Sequence, residues 1–200
     1  MTTDAVNQIW YVAYGSNLSA DRFRFYLRGG RPPGSLRTYP GCRDGTEPAR
    51  TVPLVVRGSL SFTGASKAWG GGTAVFDPDG TGRVAAAAYL LSSGQLADVL
   101  AQEMRRDPGE DLDLQTLWRD GRHRYGPGRY ETIVHLGARD GIPLVTLTSE
   151  PFDDAPLAAP SDAYLRTMDV GLRETHGWAP AEVRAYLAAI PGMSEAFSSS

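Results

Sequence analysis

The sequence predicts an α+β fold around a curved or barrel-like sheet, and the order of its elements carries that reading. One amphipathic helix comes early, a block of antiparallel-looking strands fills the middle, and two helices close the chain. Strands gathered in one block, with no helix between each pair, argue against a doubly wound parallel sheet. Two hundred residues, 42% of them hydrophobic, suffice for a single domain over 1–200 with a real core.

The first element is an apolar run, Trp10-Tyr11-Val12-Ala13-Tyr14, which halts at Gly15-Ser16-Asn17 and gives way to an amphipathic segment from Leu18 to Leu27. This reads as a buried strand, a tight turn and a helix capped by Ser16 or Asn17. Such a turn exposes backbone N–H groups suited to an anion or a developing oxyanion. It reads equally well as a plain turn and cap. Gly29 to Arg50 is rich in Gly, Pro and Arg, a long irregular loop of the kind that often serves as a lid or binding element. Strand patterns follow at Val52–Val56, Gly58–Thr63, Gly72–Phe76 and Val84–Leu91, with hairpin-turn chemistry in Asp77-Pro78-Asp79-Gly80-Thr81-Gly82.

Ser92-Ser93 begins a helix that runs to about Arg106 and stops before Asp107-Pro108-Gly109. Leu112, Leu114, Leu117 and Trp118 mark a short packed helix or turn within the polar stretch Glu110–Gly128. Tyr130–Gly137 and Ile142–Thr148 alternate apolar and polar residues across Asp140-Gly141, a strong hairpin signal. A Pro-rich connector, Pro151 to Pro160, leads to a helix capped by Ser161 and closed by Gly177. Pro180 opens the last helix and Pro191-Gly192 stops it, leaving a frayed tail at Phe197–Ser200.

Composition narrows the function. The net charge is −3 with both signs interspersed, so no basic stripe points to nucleic acid. No apolar run reaches the roughly 20 residues that cross a bilayer. The first residues carry neither a charged leader nor an apolar core, so no signal peptide is expected. Cys42 is the single cysteine, which fits a cytoplasmic protein without disulfides, and its turn-like context makes it incidental. His123, His135 and His176 are dispersed, so no metal site is expected.

One carboxylate stands out. Leu96, Val99, Leu100 and Met104 form the apolar stripe of the second helix, and steps of three and four land on Glu103. Asp98, Gln102, Arg105 and Arg106 fall mostly elsewhere on the wheel. An acid on that stripe in the last turn is disfavoured as an anion by desolvation and by the negative end of the helix dipole, which favours proton uptake. That is what a general base needs. A swing to solvent, toward Arg106, is the plainer alternative. Glu110, Asp111 and Asp113 read as surface acids.

Several of these stretches together resemble the γ-glutamylcyclotransferase family. They are Tyr14-Gly15-Ser16-Asn17-Leu18, Trp69-Gly70-Gly71-Gly72, the helix end Gln102-Glu103, Pro160-Ser161-Asp162-Ala163-Tyr164, Gly171-Leu172 and Gly177-Trp178-Ala179-Pro180. The similarity runs in register from about Ile9 to Leu187. It implies a small mixed β-barrel flanked by helices, with no metal or organic cofactor. It implies that Tyr14, Gly15, Ser16, Asn17 and Leu18 hold a γ-glutamyl group, that Glu103 is the catalytic acid–base, and that Tyr164 lines the pocket. By its own spacing, Tyr164 belongs to a Leu165–Met168–Leu172 packing face. Two departures bear on the substrate: Met104 follows Glu103 where the family often has Gly, which lets the helix run on, and the 29–50 loop is longer and richer in Pro and Arg.

The implied reaction is intramolecular aminolysis. The substrate's α-amine attacks its own γ-carbonyl, closing 5-oxoproline and releasing the amine partner. Ser16 or Asn17 would bind the α-carboxylate. The expected partner is a small-molecule γ-glutamyl amide, with no nucleic acid and no membrane. A non-catalytic module that binds a small metabolite on the same fold is the second reading, and a structural or interaction domain the third. No Gly-x-Ser-x-Gly surrounds Ser16, which argues against a serine hydrolase.

Overall fold

A computed structural model describes residues 8–150 and 155–193. The expected fraying at Phe197–Ser200 and part of the Pro151–Pro160 connector lie outside the described residues. Among the described residues there are eight strands: β1 (Gln8–Ala13), β2 (Arg50–Arg57), β3 (Ser59–Thr63), β4 (Thr73–Asp77), β5 (Arg83–Ser92), β6 (Arg122–Arg124), β7 (Thr132–Arg139) and β8 (Ile142–Thr148). The helices are α1 (Ala20–Arg28), α2 (Ser93–Glu103), α3 (Gln115–Asp120), α4 (Asp162–His176) and α5 (Pro180–Ala188). The α+β class and the flanking helices agree with the sequence.

The barrel does not close. Six strands form an open mixed sheet in the order β2-β5-β1-β8-β7-β6, and β3 and β4 form a separate pair. β1 lies at the centre, antiparallel to β5 with Tyr11 opposite Tyr89, and parallel to β8 with Tyr11 opposite Val145. A central position explains why Ile9–Ala13 is buried without alternation. Four consecutive buried alanines, Ala85–Ala88, keep β5 thin where α2, α4 and β3 pack against it.

Asp77–Gly82 does not make the expected hairpin. β4 pairs with β3, and β5 pairs with β1 and β2, so this turn carries the chain between sheets. It runs beside the β2–β3 crossover, where the Gly58 N–H donates to the Gly82 carbonyl at 3.1 Å. A Cβ on Gly80 would lie 2.3 Å from Ser59 Oγ, so the two crossovers touch. The Asp140-Gly141 hairpin does form, with both residues at positive φ (54° and 77°) as a primed turn requires.

The helix ends follow the sequence closely, with one shift. α2 is capped by Ser92 in a reciprocal capping box with Gln95, and α4 is capped by Ser161 and closed by Gly177 in the left-handed region. Pro180 takes the first position of α5. The cap of α1 is Ser19, whose side chain accepts from the Arg22 N–H, and neither Ser16 nor Asn17. The Ser16–Leu18 segment forms its own 3-10 turn first, which delays the helix.

The 29–50 loop is irregular as expected, but it is not a free lid. Arg43 donates to Asp98 from its backbone N (2.8 Å) and its Nε (3.0 Å), and Gly41 N donates to Gln102 Oε1 at 3.3 Å. Gln95 Nε2 donates to the carbonyls of Asp44 (3.2 Å) and Thr46 (3.0 Å). The loop therefore covers a face of α2 that lies off its apolar stripe. Gln95, Asp98 and Gln102 are all buried beneath it.

Candidate active site

The turn after β1 is held from three sides. The Tyr89 hydroxyl donates to the Asn17 carbonyl at 2.8 Å, and the Tyr14 hydroxyl donates to the Leu147 carbonyl at 2.6 Å. α4 rests directly on the turn: a Cβ on Gly171 would meet the Leu18 backbone at 2.3 Å. Gly15 is required by close approach, since a Cβ there would lie 2.6 Å from the Tyr164 hydroxyl. That hydroxyl accepts from the Ala74 N–H at 3.1 Å, which ties α4 to β4.

These elements enclose a cavity of about 160 Å³ that brings together Tyr14, Gly15, Ser16, Asn17, Tyr164 and Glu103. Leu18 is the exception: it is fully buried in the core and does not line the cavity, so its expected contact with substrate gives way to a packing role. The Tyr14 hydroxyl is committed to Leu147. Asn17 is central. Its Nδ2 donates to Glu103 Oε1 at 3.3 Å and to the Tyr11 hydroxyl at 3.2 Å, while its buried Oδ1 has no partner. The N–H groups of Gly15, Ser16 and Asn17 donate to no backbone carbonyl.

Glu103 is the last residue of α2 and is half-buried. The helix does not continue past it, although Met104 follows in place of Gly. Arg105 N bonds the Gln102 carbonyl at 3.1 Å and Arg106 N bonds the Ala101 carbonyl at 2.8 Å, with Arg105 at φ 58°. This is a Schellman ending with arginine where glycine is usual, and it fixes the carboxylate at the cavity wall. Tyr11 and Tyr26 line the cavity too, and burial first, then the Glu103 charge, pushes both phenols well above their ordinary range. They are neutral donors at any pH the protein meets.

The sequence reading missed Arg22, Arg37, Tyr39, Arg105, Arg129 and Tyr130, and gave Trp69 only as part of a motif; all of them line the cavity. Arg22 had a readable signal: it lies four residues from both Leu18 and Tyr26, on the buried stripe of α1. Burial works against its charged form, and neighbouring Tyr26, Tyr39 and Glu103 outweigh that, so the guanidinium is held charged. The Trp69–Gly72 motif is explained by crowding. Cβ atoms on Gly71 and Gly72 would strike the carbonyls of Ala159 (2.4 Å) and Ala158 (2.0 Å), while Trp69 meets the Tyr164 ring edge-on at 5.8 Å. Cys42 lies outside the cavity, its thiol pushed up to about 12 by burial. No group of three or more His, Cys, Asp or Glu side chains among the described residues is placed to hold a metal.

The open mixed sheet with flanking helices is a γ-glutamylcyclotransferase-like fold, as comparison with solved structures shows. A γ-glutamyl cyclotransferase superposes with a TM-score of 0.53 at 19% identity, covering 92% of this chain and 89% of that one. An uncharacterized protein from Homo sapiens superposes with a TM-score of 0.52, also at 19% identity and the same coverage. By sequence, histone deacetylase 5 of Arabidopsis thaliana is 29% identical over 198 residues, 90% of this chain. The chain spans only 30% of that protein's length. No family model matches the chain.

Proposed function

We propose that the protein is a cofactor-independent γ-glutamylcyclotransferase-type enzyme, converting a γ-glutamyl amide to 5-oxoproline and a free amine. The observation that carries this reading is Glu103 and the Gly15–Asn17 turn in one cavity, joined through the Asn17 amide at 3.3 Å.

The α-amine of a bound γ-glutamyl group is an ammonium at neutral pH and cannot attack until it loses a proton. Glu103 accepts that proton and then returns it to the leaving nitrogen, a role worth 10²–10⁴-fold in comparable systems. The amine adds to the γ-carbonyl, the carbonyl oxygen becomes an oxyanion, and collapse breaks the amide C–N bond. The N–H groups of Gly15 and Asn17, which meet no backbone carbonyl, are the donors for that oxyanion, each worth about 3–4 kcal/mol by comparison with other oxyanion holes, while the Ser16 N–H is engaged by the Tyr164 hydroxyl. Holding the γ-glutamyl chain folded supplies the proximity contribution. Neutral Tyr11 and Tyr26 hydroxyls surround the carboxylate without competing for its proton.

The test is turnover of a panel of γ-glutamyl amino acids and amides by purified protein, read as 5-oxoproline. Product from the native chain and none from a folded Glu103→Gln variant supports the reading. Product from both removes Glu103 from the mechanism. Product from neither, with ligand still bound, makes the protein a binding module.

A further inference from the structure

The cavity holds two opposite charges that do not touch. Glu103 is the acid among its lining residues, and Arg22, on α1, is its most deeply buried base at 4% exposure. No ion pair joins them, and Arg22 has no carboxylate partner among the described residues. One of its terminal nitrogens, Nη2, donates to the Tyr39 hydroxyl at 2.6 Å. The second terminal nitrogen, Nη1, and Nε are buried with no acceptor.

Aromatic rings explain only part of this placement. The guanidinium carbon lies 4.8 Å from the Tyr26 ring centre, 4.6 Å from that of Tyr39 and 5.4 Å from that of Trp69. Ring faces stabilise the charge, and the Tyr26 hydroxyl adds a hydrogen-bond contribution, but no carboxylate meets its in-plane N–H groups. A buried cation with idle donors is costly unless something supplies an anion, and a carboxylate matches a guanidinium in both charge and shape. Arg22 also borders a second cavity, of about 390 Å³, against α4. The rings around its charged end, Tyr26, Tyr39 and Trp69, all line the first cavity and not the second.

We infer that Arg22 is the α-carboxylate anchor of this site, so that the ligand is an amino acid head with free α-carboxylate and free α-amine. Arg22 takes the carboxylate and Glu103 faces the ammonium, the two opposite charges of a zwitterion meeting opposite charges in one cavity. The anchor role expected of Ser16 or Asn17 passes to Arg22, a positioning residue that turns the amine toward its base. This assignment rests on the γ-glutamyl reading above for its substrate, but the recognition it describes does not need turnover.

The test compares γ-glutamyl-alanine with 4-aminobutyryl-alanine, which differs only in lacking the α-carboxylate and would cyclise to 2-pyrrolidinone. Wild type should prefer the first by about 100-fold or more in kcat/KM, as loss of a charge-assisted bond leaves a buried donor unpaired. Arg22→Met should lose most of that preference, falling about 100-fold on the carboxylate substrate and under about threefold on the other. Arg22→Lys keeps the charge and should retain part of the preference, which covers the case in which Arg22→Met fails to fold. Equal losses on both substrates, or no preference in wild type, would overturn the assignment. If wild type turns over neither, the cyclotransferase reading has failed by itself. Calorimetric binding of L-glutamine and 4-aminobutyramide then decides Arg22. Preference for L-glutamine in wild type, lost in Arg22→Met and only reduced in Arg22→Lys, supports the anchor. Equal binding of the two, or no binding of L-glutamine, sinks it.

Discussion

Asp98 and Glu103 lie on the same helix, and both sit where a charged side chain is costly, yet they are treated in opposite ways. Asp98 is 1% exposed and fully engaged: it accepts from the Arg43 backbone N–H and from Arg43 Nε. Glu103 receives the Asn17 amide at 3.3 Å, has the Tyr26 hydroxyl beside it, meets no cation in an ion pair among the described residues and lines a cavity. Arg43 and Arg22 repeat the contrast among the bases, one in contact with two carboxylates and the other with none. Charges that build the fold meet their partners within the chain. Those of the cavity leave room for a partner from outside.

The sharpest way to break this contrast is Glu103→Gln. The amide keeps an oxygen to accept from Asn17, so the melting temperature should move by no more than about 2 °C while kcat for 5-oxoproline release falls by about 10³-fold. A large loss of stability with turnover retained would put Glu103 in the structural class. Asp98→Ala should do the reverse. It strands the Arg43 backbone N–H and unpins the loop from α2, costing about 2–3 kcal/mol in urea titration. The kcat of the folded fraction at saturating substrate should stay within about threefold. A selective collapse of kcat would show that Asp98 serves the cavity after all.

The same two acids show what the sequence could tell. Glu103 was legible because the Leu96–Val99–Leu100 stripe points straight at it. Asp98 and Gln102 were not, because the helical wheel assumes that an unlabelled face meets water, and here the 29–50 loop covers it. The loop's polar staples come from residues distant in sequence, so no local pattern announces them. β4 and β5 failed for a related reason: Asp77–Gly82 has turn chemistry, but turn chemistry does not say which sheet receives the next strand. Helix caps at Ser92, Ser161 and Gly177 were readable because a cap is decided within one turn. Arg22 carries the same signal on α1, a charged side chain on the buried stripe with Phe23, Tyr26 and Leu27.

Gly15→Ala sharpens the contrast from the backbone side. The added methyl would sit 2.6 Å from the Tyr164 hydroxyl, which must move and loosen its bond to the Ala74 N–H. The expected cost is about 1–2 kcal/mol, with kcat/KM down about tenfold as the turn shifts against Glu103. Pairing it with Tyr164→Phe is informative. Removing the hydroxyl makes space for the methyl, so the double variant should be less impaired than the sum of the two single changes. Simple additivity would mean that the turn and α4 are not coupled there.

The smallest effect comes from a titrating group outside the cavity. His176, in the last turn of α4, has Nε2 within 3.0 Å of the Ala86 carbonyl and packs against Trp178. Burial lowers its pKa below the ordinary 6.5, partly opposed by the Ala86 bond. The folded state therefore favours neutral imidazole, while the unfolded chain takes up the proton first as the pH drops. The resulting stability is fully present above about pH 6.5 and is lost as the pH falls through the lower folded value. Urea midpoints between pH 8 and 5 should show a shallow decline that Glu, Asp and His176 share, and His176→Gln should remove only the portion that begins near pH 6.5. The pH profile of turnover should be the same in both proteins, because His176 does not line the cavity. A shifted activity profile in His176→Gln would mean that α4 transmits charge to the Gly15 turn through Gly171, and the division between fold-building and ligand-facing charges would then be too clean.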